Sequence, residues 1–290
     1  MITIFCCPKP FDVHFGLLQV NAISSWLRLK PRPEVILCGD EDGTSEVCKS
    51  LGLKHIPTVP STRAGTPYVS GVFEAGQAAA SSEICCYVNA DIILLDNFMA
   101  SVRTIADRYK SFLIVGQRTN LDVTDLIEFD DVAALDELEM RAQLNGQAAG
   151  PCALDYFVFR RGLYNDIPPF CLGRFFWDCY LIWHAAAQRA TIVDCTANIT
   201  AIHQNHEYHQ YNGGLKGILD SEDYRSNKQL FGNRRWPIRI DDAMYVMEDF
   251  RVRKRWFRIP LNRLHRRFRG NRVYAASWDF LRSVGHRARF

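Results

Sequence analysis

The first two hundred residues alternate short apolar runs with amphipathic stretches, and that rhythm leaves few architectures open. ITIFCC (residues 2–7) has the length and composition of a buried strand. Phe15, Leu18, Ala22, Ile23, Trp26 and Leu29 then recur at helical spacing. PEVILCGD predicts a second strand ending in acids, residues 43–51 a short helix, and Gly52 its stop. Residues 69–81 predict another helix, and EICCYV a third strand followed by Asn-Ala-Asp. A helix starts near Asp96, and FLIVG is a fourth strand. This βαβα order predicts an α/β fold with a mainly parallel, Rossmann-like sheet flanked by helices. In open sheets of this kind ligands bind beyond the carboxyl ends of the strands. That rule singles out CCPKPF, CGDEDGT and VNAD.

A chain of 290 residues, 48 % hydrophobic, can bury a substantial core and suits one large domain with an appendage. Its N-terminus has no cationic stretch of the secretory kind. No segment approaches the roughly 18 to 20 apolar residues that span a bilayer. The ten cysteines show no CxxC spacing, and two pairs (Cys6–Cys7, Cys85–Cys86) sit inside strand-like runs. Neighbours in a strand point to opposite faces, so free thiols in a reducing cytoplasm are expected. Charge divides unevenly. Residues 251–290 hold thirteen Lys and Arg against one acid, Asp279, whereas residues 1–250 carry a net −9. We therefore expect a body of residues 1–250 and a basic extension of residues 251–290.

Neither GxGxxG after the first strand nor GxxxxGK[ST] occurs, which disfavours Rossmann dinucleotide binding and P-loop chemistry. A diphosphate would then need a divalent cation held by carboxylate and imidazole. Tyr87-Val88-Asn89-Ala90-Asp91 delivers two oxygen-bearing side chains, on alternate residues, to the rim of the sheet. Such ligands suit Mg²⁺ or Mn²⁺, although an Asn-Ala-Asp turn capping the next helix reads equally well. His203, His206 and His209 fall within seven residues after an apolar strand pair, and imidazole binds manganese- and zinc-class metals. The alternative is a solvated polar loop. Asp155 opens the apolar run YFVF, and Asp178 sits near the start of the helix WDCYLIWHAAAQ behind Gly173-Arg174. Asp178 is either an acid placed to take a hydroxyl proton or an ordinary cap. Arg174 either holds phosphate or acceptor oxygens or pairs with an acid of the fold.

YVNADIIL, LDYFVFRRGL, IPPFCLGRFFWD and TAIHQNHEY, in that order, resemble blocks of the nucleotide-diphospho-sugar glycosyltransferases of the GT-A fold, close to their large family-two-like group. The first block resembles that group's Asp-any-Asp motif with Asn89 in place of the first acid. The resemblance implies a metal on Asp91 with His203 or His206, and Asn89 nearby at the donor. Pro8, Lys9, Pro10 and Asp40 fall where the nucleobase and ribose are cradled, and Arg174 is a further donor-side candidate. Asp178 falls where inverting members place the base, and Asp155 near the acceptor side of the donor sugar. A UDP-sugar donor and a glycan or lipid-linked acceptor follow. FCCPKPF replaces the usual Ser/Thr-rich first strand and its Asn-containing loop.

The extension interleaves Arg with Trp256, Phe257, Ile259, Leu261, Leu264 and Phe268. That pattern suits an anionic membrane surface, placing the protein at the inner face of a membrane. Packing on the acidic body or a dimer contact is the alternative, and nucleic acid is disfavoured because no nucleic-acid fold accompanies the charge. Two rival classes share the architecture: a sugar-1-phosphate nucleotidyltransferase, whose glycine-rich phosphate loop is absent here, and a non-catalytic carbohydrate- or nucleotide-sugar-binding protein.

Overall fold

The computed structural model describes residues 1–206, 214–234 and 237–255. In chain order its elements are β1 (Ile2–Cys6), α1 (Gly16–Arg28), β2 (Glu34–Cys38), α2 (Thr44–Leu51), β3 (Lys54–Ile56), α3 (Val69–Ala79), β4 (Ile84–Val88), β5 (Ile92–Leu94), α4 (Asn97–Arg108), β6 (Phe112–Val115) and β7 (Thr119–Leu121). There follow α5 (Val132–Asn145), β8 (Gln147–Ala148), β9 (Tyr156–Arg160), α6 (Trp177–Ala187), β10 (Thr191–Asp194), β11 (Ala201–Gln204), α7 (Gly214–Leu219), α8 (Glu222–Phe231), β12 (Tyr245–Glu248) and β13 (Arg251–Lys254).

Nine strands form the main sheet in the order β13-β12-β10-β6-β9-β4-β1-β2-β3. The blocks β4-β1-β2-β3 and β6-β10-β12 are each parallel within themselves. Between them β9 runs antiparallel to both neighbours. The expected α/β architecture, a mainly parallel sheet flanked by helices, is what the chain adopts. The reversal of β9 lies outside what periodicity can see, because a strand buried on both faces reads as a plain apolar run in either direction.

Alternation within the strands feeds two separate cores. Ile2, Ile4 and Cys6 of β1, with Cys86 and Val88 of β4, pack against Ala22, Ile23 and Trp26 of α1 and Phe98, Val102 and Ile105 of α4. Phe5, Cys85 and Tyr87 face the other way, onto Val69, Val72 and Phe73 of α3 and Leu181, Ile182 and Ala185 of α6. Adjacent cysteines thus serve opposite faces, and none of the ten is joined in a disulfide. Seven are buried and Cys152 is exposed. Gly76 lets α3 lie close on the sheet, since a Cβ there would meet the Phe5 ring at 2.5 Å.

A second sheet, β5-β11-β7-β8, lies beside the first, with its own core of Ile93, Leu121, Leu135, Leu138, Ala142 and Ile202 under α5. The two apolar segments before the histidines therefore separate: β10 joins the main sheet and β11 the small one. Trp26 of α1 donates its indole N–H to the Ile92 carbonyl at 2.8 Å, and the Ser25 hydroxyl accepts from the Leu94 amide at 3.1 Å. These contacts fasten the small sheet to α1. At the far edge, β13 turns back on β12, and Arg255 pairs with Asp194 at 2.6 Å. The first residues of the basic segment are thus part of the sheet's edge; residues 256–290 lie outside the described residues. Among the described residues, no helix is long and apolar enough to cross a membrane.

Candidate metal and acid site

Asp91 stands in the turn between β4 and β5. The antiparallel pairing of β5 with β11 sets Ile92 opposite His203. The Gln204 amide nitrogen of the side chain donates to the carbonyls of Leu18 (2.7 Å) and Asp91 (3.2 Å), fixing the turn against α1. The outcome is a cluster of three ligand-type side chains. Nε2 of His206 lies 3.1 Å and Nε2 of His203 3.7 Å from Asp91 Oδ2. One ligand atom from each of the three lies within 4.8 Å of the others. His209 lies outside the described residues.

Burial would raise the Asp91 pKa. The hydrogen bond to His206, the His203 ring and the Lys9 charge outweigh it and hold the carboxyl well below the usual carboxylate range. Burial pushes His203 down to about 4, against the pull of Asp91. His203 is therefore a neutral ring with a lone pair at neutral pH. The Lys9 ammonium adds a positive charge facing Asp91. Burial also lowers the Lys9 pKa, and Asp91 and Asp12 oppose this.

The loop after β1 is held by one buried side chain. Gln19 of α1 accepts from the Lys9 amide at 2.7 Å and donates to the Lys9 carbonyl at 2.9 Å. The Lys9 ammonium lies 4.0 Å above the Phe15 ring, whose edge meets His206 with centroids 5.4 Å apart. Pro8 is buried and Pro10 half-buried beside it. Asp40, at the end of β2, is exposed and stands 4.0 Å from His55. Phe15, Leu18, Thr124, Asn205 and His206 line an open cavity of about 290 Å³. A depression of about 260 Å³, lined by Asn120, Asp122, Arg141 and Gln147, shares Asn205 with it. The cavity that touches His206 is the one beside the candidate chemistry.

The reversal of β9 brings Asp155 to the same rim, because Val88 pairs with Tyr156 and the Asn89 amide donates to the Asp155 carbonyl at 2.9 Å. Asn89 Nδ2 donates to Asp155 Oδ1 at 2.6 Å, and Arg118 Nη1 reaches both carboxylate oxygens at 3.2 and 3.1 Å. Burial raises the Asp155 pKa; Arg118 opposes this and Asp91 adds to it. Arg118, between β6 and β7, is the residue that sequence reasoning missed. Its only signal was a cation just past an apolar strand.

Asp178 lies in the first turn of α6, after Phe176 takes a left-handed backbone (φ 85°). Its Oδ1 accepts from the Cys179 amide at 2.8 Å. Burial raises its pKa to about 7; the Cys179 hydrogen bond opposes the rise, and the nearby Cys152 and Asp155 reinforce it. Arg174 pairs with Asp223 of α8 at 3.1 Å, the contact with an acid of the fold. Asn227, also on α8 and fully buried, accepts from the Cys171 amide at 2.7 Å and donates to the carbonyls of Cys171 and Phe175. Together they clamp the loop that leads to Asp178.

No protein-family model matches the chain, and no curated protein matches its sequence. Solved structures similar to it include S. aureus TarS 1–349 in complex with UDP-GlcNAc, at 11 % identity over 79 % of this chain and 70 % of that one, with a TM-score of 0.46. Glucosyl-3-phosphoglycerate synthase from Mycobacterium tuberculosis, in complex with Mn²⁺, UDP and phosphoglyceric acid, is 16 % identical over 72 % of each chain, with a TM-score of 0.42. The bifunctional IspDF from Campylobacter jejuni is 11 % identical over 79 % of this chain and 53 % of that one, with a TM-score of 0.38. None of these likenesses is close enough to carry residue roles or chemistry to this chain.

Proposed function

We propose that the chain is a metal-dependent glycosyltransferase that moves a sugar from a nucleotide-diphosphate donor, a UDP-sugar, to a hydroxyl of a glycan or lipid-linked acceptor. The observation that carries this reading is the cluster of Asp91, His203 and His206, with Asp155 near enough to feel the Asp91 charge and Asp178 near enough to feel that of Asp155.

Of Mn²⁺ and Mg²⁺, one carboxylate and two imidazoles fit Mn²⁺ better, because Mg²⁺ takes oxygen ligands. Asp91 Oδ1 and His203 Nδ1 are buried without a hydrogen-bond partner among the described residues. Buried polar atoms are nearly always satisfied, so such atoms suit a ligand. When bound, a divalent cation supplies positive charge for a leaving diphosphate. Lys9 adds a second cation beside Asp91, and Pro8, Pro10 and Asp40 frame the nucleoside. Arg174 serves the donor side through its pair with Asp223, which fixes the loop before α6.

The two remaining acids have unlike surroundings, which separates their roles. Asp155 has a guanidinium and an amide on its carboxylate. Asp178 has the Cys179 amide and thiol beside it and a pKa of about 7, suited to accept a proton from an acceptor hydroxyl near neutral pH. Attack assisted by Asp178 from the face opposite the diphosphate inverts the anomeric carbon. Residues 256–290, with nine Lys and Arg against one acid, would hold the enzyme at an anionic membrane surface where lipid-linked acceptors reside.

Titration calorimetry with UDP, with and without Mn²⁺, tests the core of this reading, together with donor hydrolysis under both conditions. We expect UDP binding and hydrolysis that require the metal. UDP affinity indifferent to Mn²⁺ would refute metal dependence, and nucleotide transfer to a sugar 1-phosphate would favour the nucleotidyltransferase alternative.

A further inference from the structure

Asn89 stands at the first acidic position of the Asp-any-Asp pattern that this sequence resembles, yet its side chain is engaged elsewhere. Its Oδ1 accepts from the Tyr87 hydroxyl at 3.0 Å. The Asp155 carboxylate, which only accepts, fixes which end of the amide is the donor, so Nδ2 faces Asp155 Oδ1 at 2.6 Å. Tyr87 is itself immobilised: its ring stacks on Phe73 at 5.1 Å and meets Trp177 edge-on at 5.5 Å. The main chain repeats the link through the Asn89 amide and the Asp155 carbonyl.

We infer that Asn89 is a positioning residue, whose amide fixes the Asp155 carboxylate so that Asp155 Oδ2 accepts a hydroxyl of the bound sugar, and that it holds neither metal nor diphosphate. The inference rests on the glycosyltransferase reading above and assigns the hydroxyl-binding acid of that same site. A count of acceptor positions leads to Oδ2. Each carboxylate oxygen offers two lone-pair sites. Oδ1 receives Asn89 and Arg118, whereas Oδ2 receives Arg118 alone. One acceptor site is left, on a carboxylate whose orientation is fixed from two sides. The geometry also explains the amide. An Asp at position 89 would set two carboxylates at hydrogen-bond distance, and two such groups cannot both ionise. Asn fills the position with a donor and no charge.

The experiment is a double-mutant cycle on the full chain, reading donor turnover, donor KM and Mn²⁺ affinity for wild type, Asn89→Ala, Asp155→Ala and the pair. Thermal unfolding checks that each variant is folded. If Asn89 acts through Asp155, Asn89→Ala lowers turnover by about tenfold or more, the range typical of groups that orient a site residue. Its Mn²⁺ affinity stays near wild type, and Asn89→Ala costs nothing further once Asp155 is Ala. Asn89→Asp supplies the second variant: it should lower turnover as well and should not tighten Mn²⁺. Additive losses in the cycle, or a large change of Mn²⁺ affinity in either Asn89 variant, would overturn the inference and leave the glycosyltransferase reading standing. A wild-type protein that neither binds Mn²⁺ nor turns over any nucleotide sugar sinks that reading and takes this inference with it.

Discussion

Asp91 and His206 are 115 residues apart in the chain and 3.1 Å apart in space. Neither is held by its own segment alone. Gln204 binds the Asp91 carbonyl, β11 pairs with β5, and Phe15 of the loop before α1 sets its ring edge against the His206 imidazole. Three separate stretches of sequence therefore agree on one geometry around the Asp91 carboxylate.

The first prediction follows from that convergence. Asp91→Ala should abolish Mn²⁺-dependent UDP binding, while His203→Ala and His206→Ala each weaken it by roughly tenfold or more, at least as much as loss of an outer-shell partner. His203→Ala should weaken it further, because His203 is fixed within β11 opposite Ile92, whereas His206 lies past the strand's end. The fold should survive Asp91→Ala, since the backbone pairing of β5 with β11 and the Gln204 contacts remain without this carboxylate. Calorimetry with circular dichroism checks both halves, and unchanged affinity in Asp91→Ala would remove the metal site.

The sequence carried the main strands and both segments of the candidate metal cluster because each is a local pattern. YVNAD is an apolar run that stops at polar residues, and three histidines in seven residues stand out against any core strand. The partners of those segments were not legible. Arg118 is one cation after one strand, and only the antiparallel turn of β9 gives it Asp155 to hold. The small sheet left little trace, since β5, β7 and β8 are two or three residues long, too short for any period to declare itself. Arg174 was open to two readings, and its pairing with Asp223 depends on α8 packing against the loop.

A second prediction concerns the sheet's edge. Asp194 Oδ1 accepts from the amide and the hydroxyl of Thr196, and Oδ2 from Arg255 at 2.6 Å, both partners largely buried. Removing one partner strands a charge, but the Thr196 contacts remain. Arg255→Ala should therefore cost about 1.5–3 kcal/mol, the worth of a hydrogen bond to a charged group. Urea denaturation measures it, and a loss under about 0.5 kcal/mol, typical of surface changes, would show the pair to be ornamental.

The third prediction separates the edge strand from the basic segment beyond it. A chain ending at residue 255 keeps β13 and the Arg255–Asp194 pair; one ending at residue 250 loses both. Both should bind anionic liposomes less than the full chain, with salt-sensitive flotation, because each Lys or Arg near such a surface contributes about 1 kcal/mol. Only the shorter should also unfold more readily. Equal flotation of the full chain and the chain ending at 255 would reject the membrane role of residues 256–290.

The last prediction concerns Asp178, whose pKa burial raises from 3.8 to about 7. Native protein then holds a proton that the unfolded chain releases, so the group's contribution to stability falls as the pH climbs from about 4 to about 7 and levels off above. Asp178→Asn keeps the shape and the acceptor oxygen toward the Cys179 amide but cannot ionise, and Asn caps a helix about as well as Asp. The variant should match wild type in thermal stability near pH 4 and exceed it at pH 8. Catalysis should move the other way. If Asp178 takes the acceptor's proton, wild-type transfer rises with pH through about 7, and Asp178→Asn lowers turnover by about two orders of magnitude or more with donor affinity unchanged. Loss of turnover with gain of stability at high pH is what an acid kept in an unfavourable environment for its chemistry would give. A variant with normal transfer and no stability gain at pH 8 would return Asp178 to the role of a helix cap and make Asp155 the next acid to test.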